Sequence, residues 1–342
     1  MEQTDPSPKR RYAFVDMAKG LSIVLVVVYH AAFYFEFRGI EMPVNLWERL
    51  AYYTAGVRMP LFFAVSGMLA ISAIRRPWPD LLHRKVWTFL WLFGLWSAVY
   101  LLLYSLVLGG APLRLRDFAM VYVEPASVMW FLWALALFFT LAKLLQPVRH
   151  AAIVVAAGLA VVAGGNLLDI GNFAQLSLLR NMLYFLLGAW FGGQVIPLVD
   201  RRPVPVAALG AVLFVAGYMV PQDTSALFGV LRIGESLGGI MLLLGLCRIV
   251  EPVGLFRAIG TFFGRRTLEI YVSHAIFIEL IYGLTILGPD LMPGNLLVPL
   301  VCALSVGAAL VLRRLLGAPL FYAAPDLRGM AGRSRSRRIE AS

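Results

Sequence analysis

The chain has 342 residues, of which 60% are hydrophobic and only 14% are charged. Soluble domains carry roughly 25% charged residues, and a domain of this size cannot hide so much apolar surface in one core, which excludes a soluble globular protein. We predict an all-α, polytopic membrane protein. Membrane topology also accounts for the net charge of +11, because Lys and Arg collect in cytoplasmic loops, and we expect no nucleic-acid partner.

Ten apolar segments, separated by Pro and Gly, are long enough or nearly long enough to cross a bilayer as helices. The predicted spans are residues 13–37, 48–74, 84–108, 128–146, 151–167, 176–197, 204–220, 226–249, 266–287 and 295–316. With a cytoplasmic N-terminus, most Lys and Arg residues fall on the inner side of this arrangement. We therefore predict ten transmembrane helices with both termini cytoplasmic, in a multi-pass protein of the inner membrane.

The predicted domain organisation is a basic cytoplasmic N-terminus (1–12), a ten-helix membrane domain (13–318) and a basic cytoplasmic tail (319–342) that we expect to be disordered. The first apolar segment is too long for a signal peptide and is interrupted by Lys19, so we interpret it as the first span. Cys247 and Cys302 both lie in apolar spans without metal-ligand spacing, and we expect neither a disulfide framework nor a metal.

Two polar residues of the first span, Lys19 and His30, share one face of the predicted helix. Eleven residues make about three turns, so the two lie about 16 Å apart along the axis. Each has an ordinary explanation, since Lys19 can snorkel towards the cytoplasm and His30 can lie in an interfacial aromatic belt beside Tyr29. The pair also fits acyl transfer from a coenzyme A thioester, in which a cation holds phosphate and a neutral imidazole is the general base for a hydroxyl.

The first helix resembles that of the acyltransferase 3 family of integral membrane acyltransferases, especially its fucose 4-O-acetylase-like members. The hallmark of that family is a basic residue, ten others and then His, which here runs from Lys19 to His30. Three further stretches resemble the family in the same order: PLFFAVSGML (60–69), VMWFLWALALF (128–138) and GRRTLEIYVSHAIF (264–277). The resemblance covers residues 10–320, and Lys at position 19 departs from the Arg of many members.

The resemblance implies transfer of an acyl group, usually acetyl from acetyl-CoA, to a sugar hydroxyl in a surface glycan, glycolipid or precursor. It implies that His30 is the catalytic histidine and that Lys19, Arg84 and Lys85 bind the acyl-CoA donor. The alternative for Arg84 and Lys85 is the ordinary excess of cations where a helix begins on the cytoplasmic side. The expected partners are the lipid bilayer, acyl-CoA and a carbohydrate or glycolipid acceptor, and a homodimer is compatible with the sequence.

Four other residues are weaker candidates for binding the substrate. Arg58 lies in the outer half of the second span, and Trp130 is placed either to stack on a sugar or to anchor its helix at the interface. Glu235 follows Arg232 by three residues, so the two either neutralise each other or face a cavity together. His274, in the middle of the ninth span, either lines the site or is a buried, hydrogen-bonded side chain.

Two other functions and two mechanisms stay open at this point. A transporter or flippase of lipid-linked sugar also carries inward charges and Gly-broken helices, although we find no paired halves. A membrane acyltransferase of another class would use His274 as its catalytic histidine. In the preferred function, His30 either deprotonates the acceptor directly or carries the acyl group covalently.

Overall fold

The computed structural model describes residues 12–38, 43–106, 112–125, 128–220, 223–284, 288, 291–317 and 320–325. These residues are almost entirely helical and include no β-strand, as predicted for an all-α protein. The helices are α1 (Ala13–Ala32), α2 (Tyr34–Phe37), α3 (Leu46–Tyr53), α4 (Ala55–Ile74), α5 (Trp78–Leu81), a π-helical segment (Leu82–Trp87), α6 (Thr88–Leu106), α7 (Leu115–Met120), α8 (Trp130–Leu144), a 3₁₀ turn (Gln146–Val148), α9 (Arg149–Gly164), α10 (Phe173–Arg201), α11 (Pro203–Tyr218), α12 (Ala226–Val250), α13 (Gly254–Arg265), α14 (Thr267–Leu284) and α15 (Gly294–Leu316).

A helix lies at each of the ten predicted spans. Seven helical stretches in the described chain are long and apolar enough to cross a membrane: α1, α4, α5 to α6, the 3₁₀ turn with α9, α10, α12 and α15. Helices α8 and α11 are apolar but shorter, and α14 is not among the seven. That ten helices cross the membrane, and that both termini are cytoplasmic, therefore stay predictions.

Two predicted spans are broken, which corrects their boundaries. The first predicted span (13–37) is interrupted at Phe33, where α1 gives way to the short α2. The second (48–74) is interrupted at Thr54, whose hydroxyl donates to the Leu50 carbonyl at 2.7 Å and so satisfies the end of α3. The predicted residues 107–108 and 285–287 lie outside the described residues. Hydropathy alone does not register such breaks, because the flanking residues stay apolar on both sides.

Helix α13 was not predicted, because its twelve residues are too few to span a bilayer and lie where a cytoplasmic connection was expected. Its apolar side chains Leu255, Phe256 and Ile259 are exposed on the surface of the bundle. Its opposite side packs against α1, which is the central helix and contacts α3, α4, α12, α14 and α15 as well. Helix α13 therefore holds the predicted cytoplasmic half of α1 in place.

A proline inside α4 links that helix to α12. Pro60 lacks an N–H group, so it cannot donate to the carbonyl of Gly56 four residues earlier. The Ser236 hydroxyl of α12 donates to that carbonyl instead, at 2.6 Å. The hydrogen bond that the helix loses is thus replaced by one that joins two helices.

Helices α4 and α10 cross at two glycines, Gly67 and Gly188. A Cβ added to Gly67 would overlap the Phe185 carbonyl oxygen, and one added to Gly188 would overlap that of Ala64. Such close approach of backbones is typical of helix pairs within membranes, where small residues drive association through packing.

Replacing Gly188 with valine is expected to lower the free energy of unfolding by about 1–3 kcal/mol or more, because neither backbone can move aside without separating α4 from α10. The matched control is Gly193→Val in the same helix, where an added Cβ meets nothing within 4 Å. The measurement is the midpoint of thermal unfolding of the purified protein in detergent. Equal midpoints for the two variants would contradict the proposed crossing.

Six helices run in the directions that the predicted topology gives them, three towards one end of the bundle and three away from it. Helices α1, α6 and α14 end, and α4, α8 and α10 begin, around one shared cavity. We call this end of the bundle the outer end, following the predicted topology. At the opposite end, residues 320–325 of the predicted tail are tied to α6, because Trp91 and Trp96 donate to the carbonyls of Leu320 and Phe321, both at 2.8 Å.

Candidate active site

The predicted catalytic residue His30 lies in the last turn of α1 and contacts His274 of α14. Nδ1 of His30 is 3.2 Å from Nε2 of His274, and the ring centroids are 5.1 Å apart. The two residues are 244 positions apart in the chain and meet because α1 packs against α14. His274 is fully buried, with 0% of its surface exposed. The two histidines that the sequence singled out separately therefore form one pair.

The hydrogen-bond partners of His274 determine which of its nitrogens carries the hydrogen. Nδ1 of His274 lies 2.8 Å from the Tyr271 carbonyl oxygen and 3.1 Å from that of Ile270. Carbonyl oxygens only accept hydrogen bonds, so Nδ1 is the protonated nitrogen. In neutral His274 the other nitrogen, Nε2, is then an acceptor, and it faces His30.

The same reasoning assigns the lone pair of His30. Its Nδ1 lies between two acceptors, the Val26 carbonyl oxygen at 2.9 Å and Nε2 of His274. Nδ1 of His30 must therefore donate, and in the neutral ring Nε2 keeps the lone pair. Nε2 has no hydrogen-bond partner among the described residues. It is also not one of the described side-chain atoms that are both buried and without a partner, so it is open to the cavity that His30 lines. Such a nitrogen can take a proton from a bound hydroxyl.

His30 lines a cavity of about 600 Å³ at the outer end, hereafter the His30 cavity. Much of its wall is aromatic: Tyr29, Tyr34, Tyr100, Tyr104, Trp130 and Phe173. Aromatic faces with polar edges suit a molecule that carries both apolar faces and hydroxyls, as sugars do. Trp130, predicted either to stack on a sugar or to anchor its helix, is one of these aromatic residues. His274 contacts His30 but is not among the described residues that line the cavity.

Two arginines line the His30 cavity in different settings. Arg38 forms a close ion pair with Glu279, whose other oxygen accepts from the Tyr100 hydroxyl at 3.2 Å. Arg58 is only 8% exposed, and its guanidinium carbon lies 3.8 Å above the centre of the Tyr29 ring. Arg58, predicted as a weak candidate for binding the substrate, thus lines the same cavity as His30.

Arg38, Glu279 and Tyr100 were not singled out in the sequence. Glu279 carried a usable signal, because a carboxylate within a predicted span is costly unless it is paired or functional. Arg38 lies just after α2, and its pairing with Glu279 across 241 residues is visible only in the folded chain.

Glu235, the fourth candidate for binding the substrate, is a buried carboxylate that pairs with Arg232. Its carboxylate accepts from Arg232 at 2.6 Å and is 1% exposed. It lies against Gly56, where an added Cβ would overlap the carboxylate. Neither Glu235 nor Arg232 is among the described residues that line the His30 cavity.

A second cavity, of about 670 Å³, lies at the opposite end of the bundle and contains two of the three predicted donor-binding cations, Arg84 and Lys85. Arg84 and Lys85 belong to the π-helical segment, a rare geometry that often marks functional sites. Arg76 and His83 also line this cation cavity, and none of its described lining residues is acidic. Its chemistry suits phosphate groups, which are bound by Arg and Lys.

Lys19, predicted to bind the acyl-CoA donor, lies at neither of these two cavities. It is half-buried, about 16 Å from His30 along α1, and it is not among the described lining residues of either cavity. The next residue, Gly20, packs directly on the backbone of α13 at Gly260 and Gly264. This turn of α1 therefore packs closely on α13, while a role for Lys19 in binding the donor stays a prediction.

A helical bundle with an imidazole in an outer cavity and cations in a cavity at the other end has the features expected of a membrane-bound acyltransferase. The comparisons agree with this class, since the family model described as an acyltransferase domain matches residues 12–314. The chain belongs to this acyltransferase 3 family, as its four sequence stretches indicated.

One relative is the inner membrane protein YcfT of Escherichia coli K12, which is 29% identical over 312 residues. The alignment covers 82% of this chain and 83% of YcfT. With seven candidate spans, this similarity confirms a multi-pass inner-membrane protein. No solved structure matches the chain.

Proposed function

We propose that the protein moves an acetyl or other short acyl group from acyl-CoA to a sugar hydroxyl in a surface glycan, glycolipid or precursor, with His30 as general base. The observation that carries this proposal is the hydrogen bond between His30 and His274, because it leaves Nε2 of His30 as a base open to the His30 cavity. The aromatic wall of that cavity supports a sugar as the acceptor.

The proposed reaction is a direct transfer in which Nε2 of His30 accepts the proton of the acceptor hydroxyl. The hydroxyl oxygen attacks the thioester carbonyl carbon, and the new C–O bond forms as the C–S bond breaks. The thiolate leaves and takes up the proton that His30 holds, so His30 returns to its neutral form. A hydroxyl is a weak nucleophile, whereas the thioester is already activated, so the base is needed on the acceptor side.

The donor is proposed to bind with its phosphates in the cation cavity and its thioester near His30. The two cavities lie on opposite ends of α4, about 15–20 Å apart along the helix from Met59 to Ser72. Phe62 and Phe63 lie between them, packed on Phe131 at centroid distances of 4.2 and 4.6 Å. An acyl arm that followed this helix from one cavity to the other would meet these rings.

Replacing Arg84 and Lys85 with glutamine is expected to raise the KM for acetyl-CoA by about tenfold for each charge removed, because hydrogen bonds to charged groups contribute about 1.5–3 kcal/mol. The kcat should change little, since neither residue lies near His30. The measurement is thiol release from acetyl-CoA by purified protein supplied with a glycan acceptor.

The matched control for the cation cavity is Arg75→Gln. Arg75 lies at the same end of α4 as Arg76 but lines a different cavity. If Arg75→Gln raised the KM as much as Arg84→Gln, a general effect of surface charge would replace the specific donor site.

A further inference from the structure

A third cavity, of about 350 Å³, adjoins the His30 cavity at the outer end. The two share the lining residues Tyr29, Arg58, Met59, Trp130 and Phe173. The third cavity extends away from His30 between α4, α10 and α12, and the last turns of α9 close it. A molecule bound across the shared wall would therefore lie within both cavities.

Every charged side chain among the described lining residues of this third cavity is an arginine: Arg58, Arg180 and Arg232. We call it the arginine cavity. Arg232 is neutralised by Glu235 at 2.6 Å. In the part of the chain that the structure describes, no carboxylate pairs with Arg58 or Arg180, and both line the same cavity as Arg232. Two positive charges are thus left without a counter-charge inside a helical bundle.

Neutral groups orient these two guanidiniums without cancelling their charge. Nε of Arg180 donates to the Ala163 carbonyl at 2.9 Å, and a terminal nitrogen donates to Oδ1 of Asn166 at 3.1 Å. Arg58 donates to the Ala51 carbonyl and lies on the Tyr29 ring. Uncompensated charge is expensive within a membrane protein, and residues that carry it usually line a ligand path. An anion bound between them would offset that cost.

Asn181 also lines the arginine cavity, and one of its polar atoms lacks a partner within the described chain. The side-chain amide of Asn181, which is 6% exposed, donates to the Ser177 carbonyl at 2.7 Å. That bond fixes the orientation of the amide and leaves Oδ1 buried without a hydrogen-bond partner within the described chain. Because that oxygen is enclosed by the protein, it is not a ligand contact, and Asn181 contributes to the cavity only as a lining side chain.

We propose that the arginine cavity is an acceptor subsite for an anionic, hydroxyl-bearing molecule, with its phosphate or carboxylate group bound by Arg58 and Arg180. The planar guanidinium favours such groups because it donates two parallel hydrogen bonds. The shared wall of the two cavities directs a hydroxyl of the same molecule towards His30. The inference rests on the proposed function, since it takes the molecule bound there to be the acceptor of the acyl group.

The test compares three probes that differ in charge: glucose 1-phosphate, glucuronic acid and glucose. Each is titrated into the purified full-length protein in detergent, and the apparent Kd is obtained from the shift in thermal unfolding midpoint. At least one anionic probe is expected to bind about tenfold or more tightly than glucose. The better of the two identifies the anion as phosphate or carboxylate. Equal affinity for all three probes would overturn the proposal.

Variants then assign the preference to the cavity. Arg180→Gln is expected to abolish the difference in affinity between the anionic probe and glucose. Arg116→Gln is the matched control, because that arginine is 72% exposed and lies outside the cavity. This ratio of affinities is insensitive to a general loss of stability. A preference for anions that survives Arg180→Gln would place the anion elsewhere and overturn the assignment.

The same preparation separates this proposal from the proposed function. Thiol release from acetyl-CoA by the unmodified protein, and its loss in His30→Ala, report on the reaction alone. If thiol release depends on His30 but all three probes bind equally, the arginine cavity is wrong and the acyltransferase assignment stands. If the charge preference is found but thiol release does not depend on His30, the proposed reaction is wrong while the anion site stands.

Discussion

Replacing His30 with alanine is expected to lower the rate of acyl transfer by about 10²–10⁴-fold, the usual contribution of a positioned general base. The affinity for acetyl-CoA should stay nearly unchanged, because the cation cavity lies at the other end of the bundle. Nε2 of His30 is the nitrogen that the hydrogen bond to His274 leaves open to the cavity, and no other described lining residue of that cavity is a histidine.

The measurement is thiol release from acetyl-CoA in purified membranes supplied with a glycan acceptor. The control is His150→Ala, since His150 is exposed at the beginning of α9 and contacts only Phe191 among aromatic residues of the described chain. Full thiol release by His30→Ala would exclude His30 as the base. A complete lack of thiol release by the unmodified protein, with movement of lipid-linked sugar across the membrane, would favour the transporter or flippase.

The direct and covalent mechanisms use the same nitrogen of His30, so they need a separate measurement. Incubation with labelled acetyl-CoA in the absence of acceptor is expected to leave His30 unmodified if it acts only as a base. Trapping of acetyl-His30 by mass spectrometry would show instead that the ring carries the acyl group.

Replacing His274 with leucine is expected to lower kcat about 100-fold without raising the KM for acetyl-CoA. Leucine offers no acceptor to Nδ1 of His30, so the ring is then held only by the Val26 carbonyl and can turn its base nitrogen away from the acceptor. His274 is thus a positioning residue. Loss of an orienting partner has effects of this size or greater in other histidine-dependent sites.

A conservative variant distinguishes this role from a merely structural one. His274→Gln keeps an acceptor oxygen on a side chain of comparable length, and it is expected to recover part of the kcat that His274→Leu loses. Both variants should bind acetyl-CoA and unfold at similar temperatures, which shows that the bundle is intact. If His274→Ala abolished thiol release while His30→Ala did not, His274 would be the catalytic histidine of another acyltransferase class.

The sequence by itself determined the class of protein and named several residues of the candidate site. Hydropathy located helices at all ten predicted spans, because a backbone in lipid must satisfy its own hydrogen bonds within a helix. The common face of Lys19 and His30 followed from the helical repeat of 3.6 residues, which is a local property. The four family stretches required only residue identities and their order.

Only the tertiary structure decided which helices meet. The contact between His30 and His274 depends on the packing of α1 against α14, and the arginine cavity depends on the placement of α4 beside α10 and α12. These placements follow from close backbone contacts such as that of Gly67 with Gly188, whose partners are over a hundred residues away. Hydropathy and helical periodicity describe each helix separately, so the protonated nitrogen of His30 and the charge of the arginine cavity become visible only when the helices are assembled.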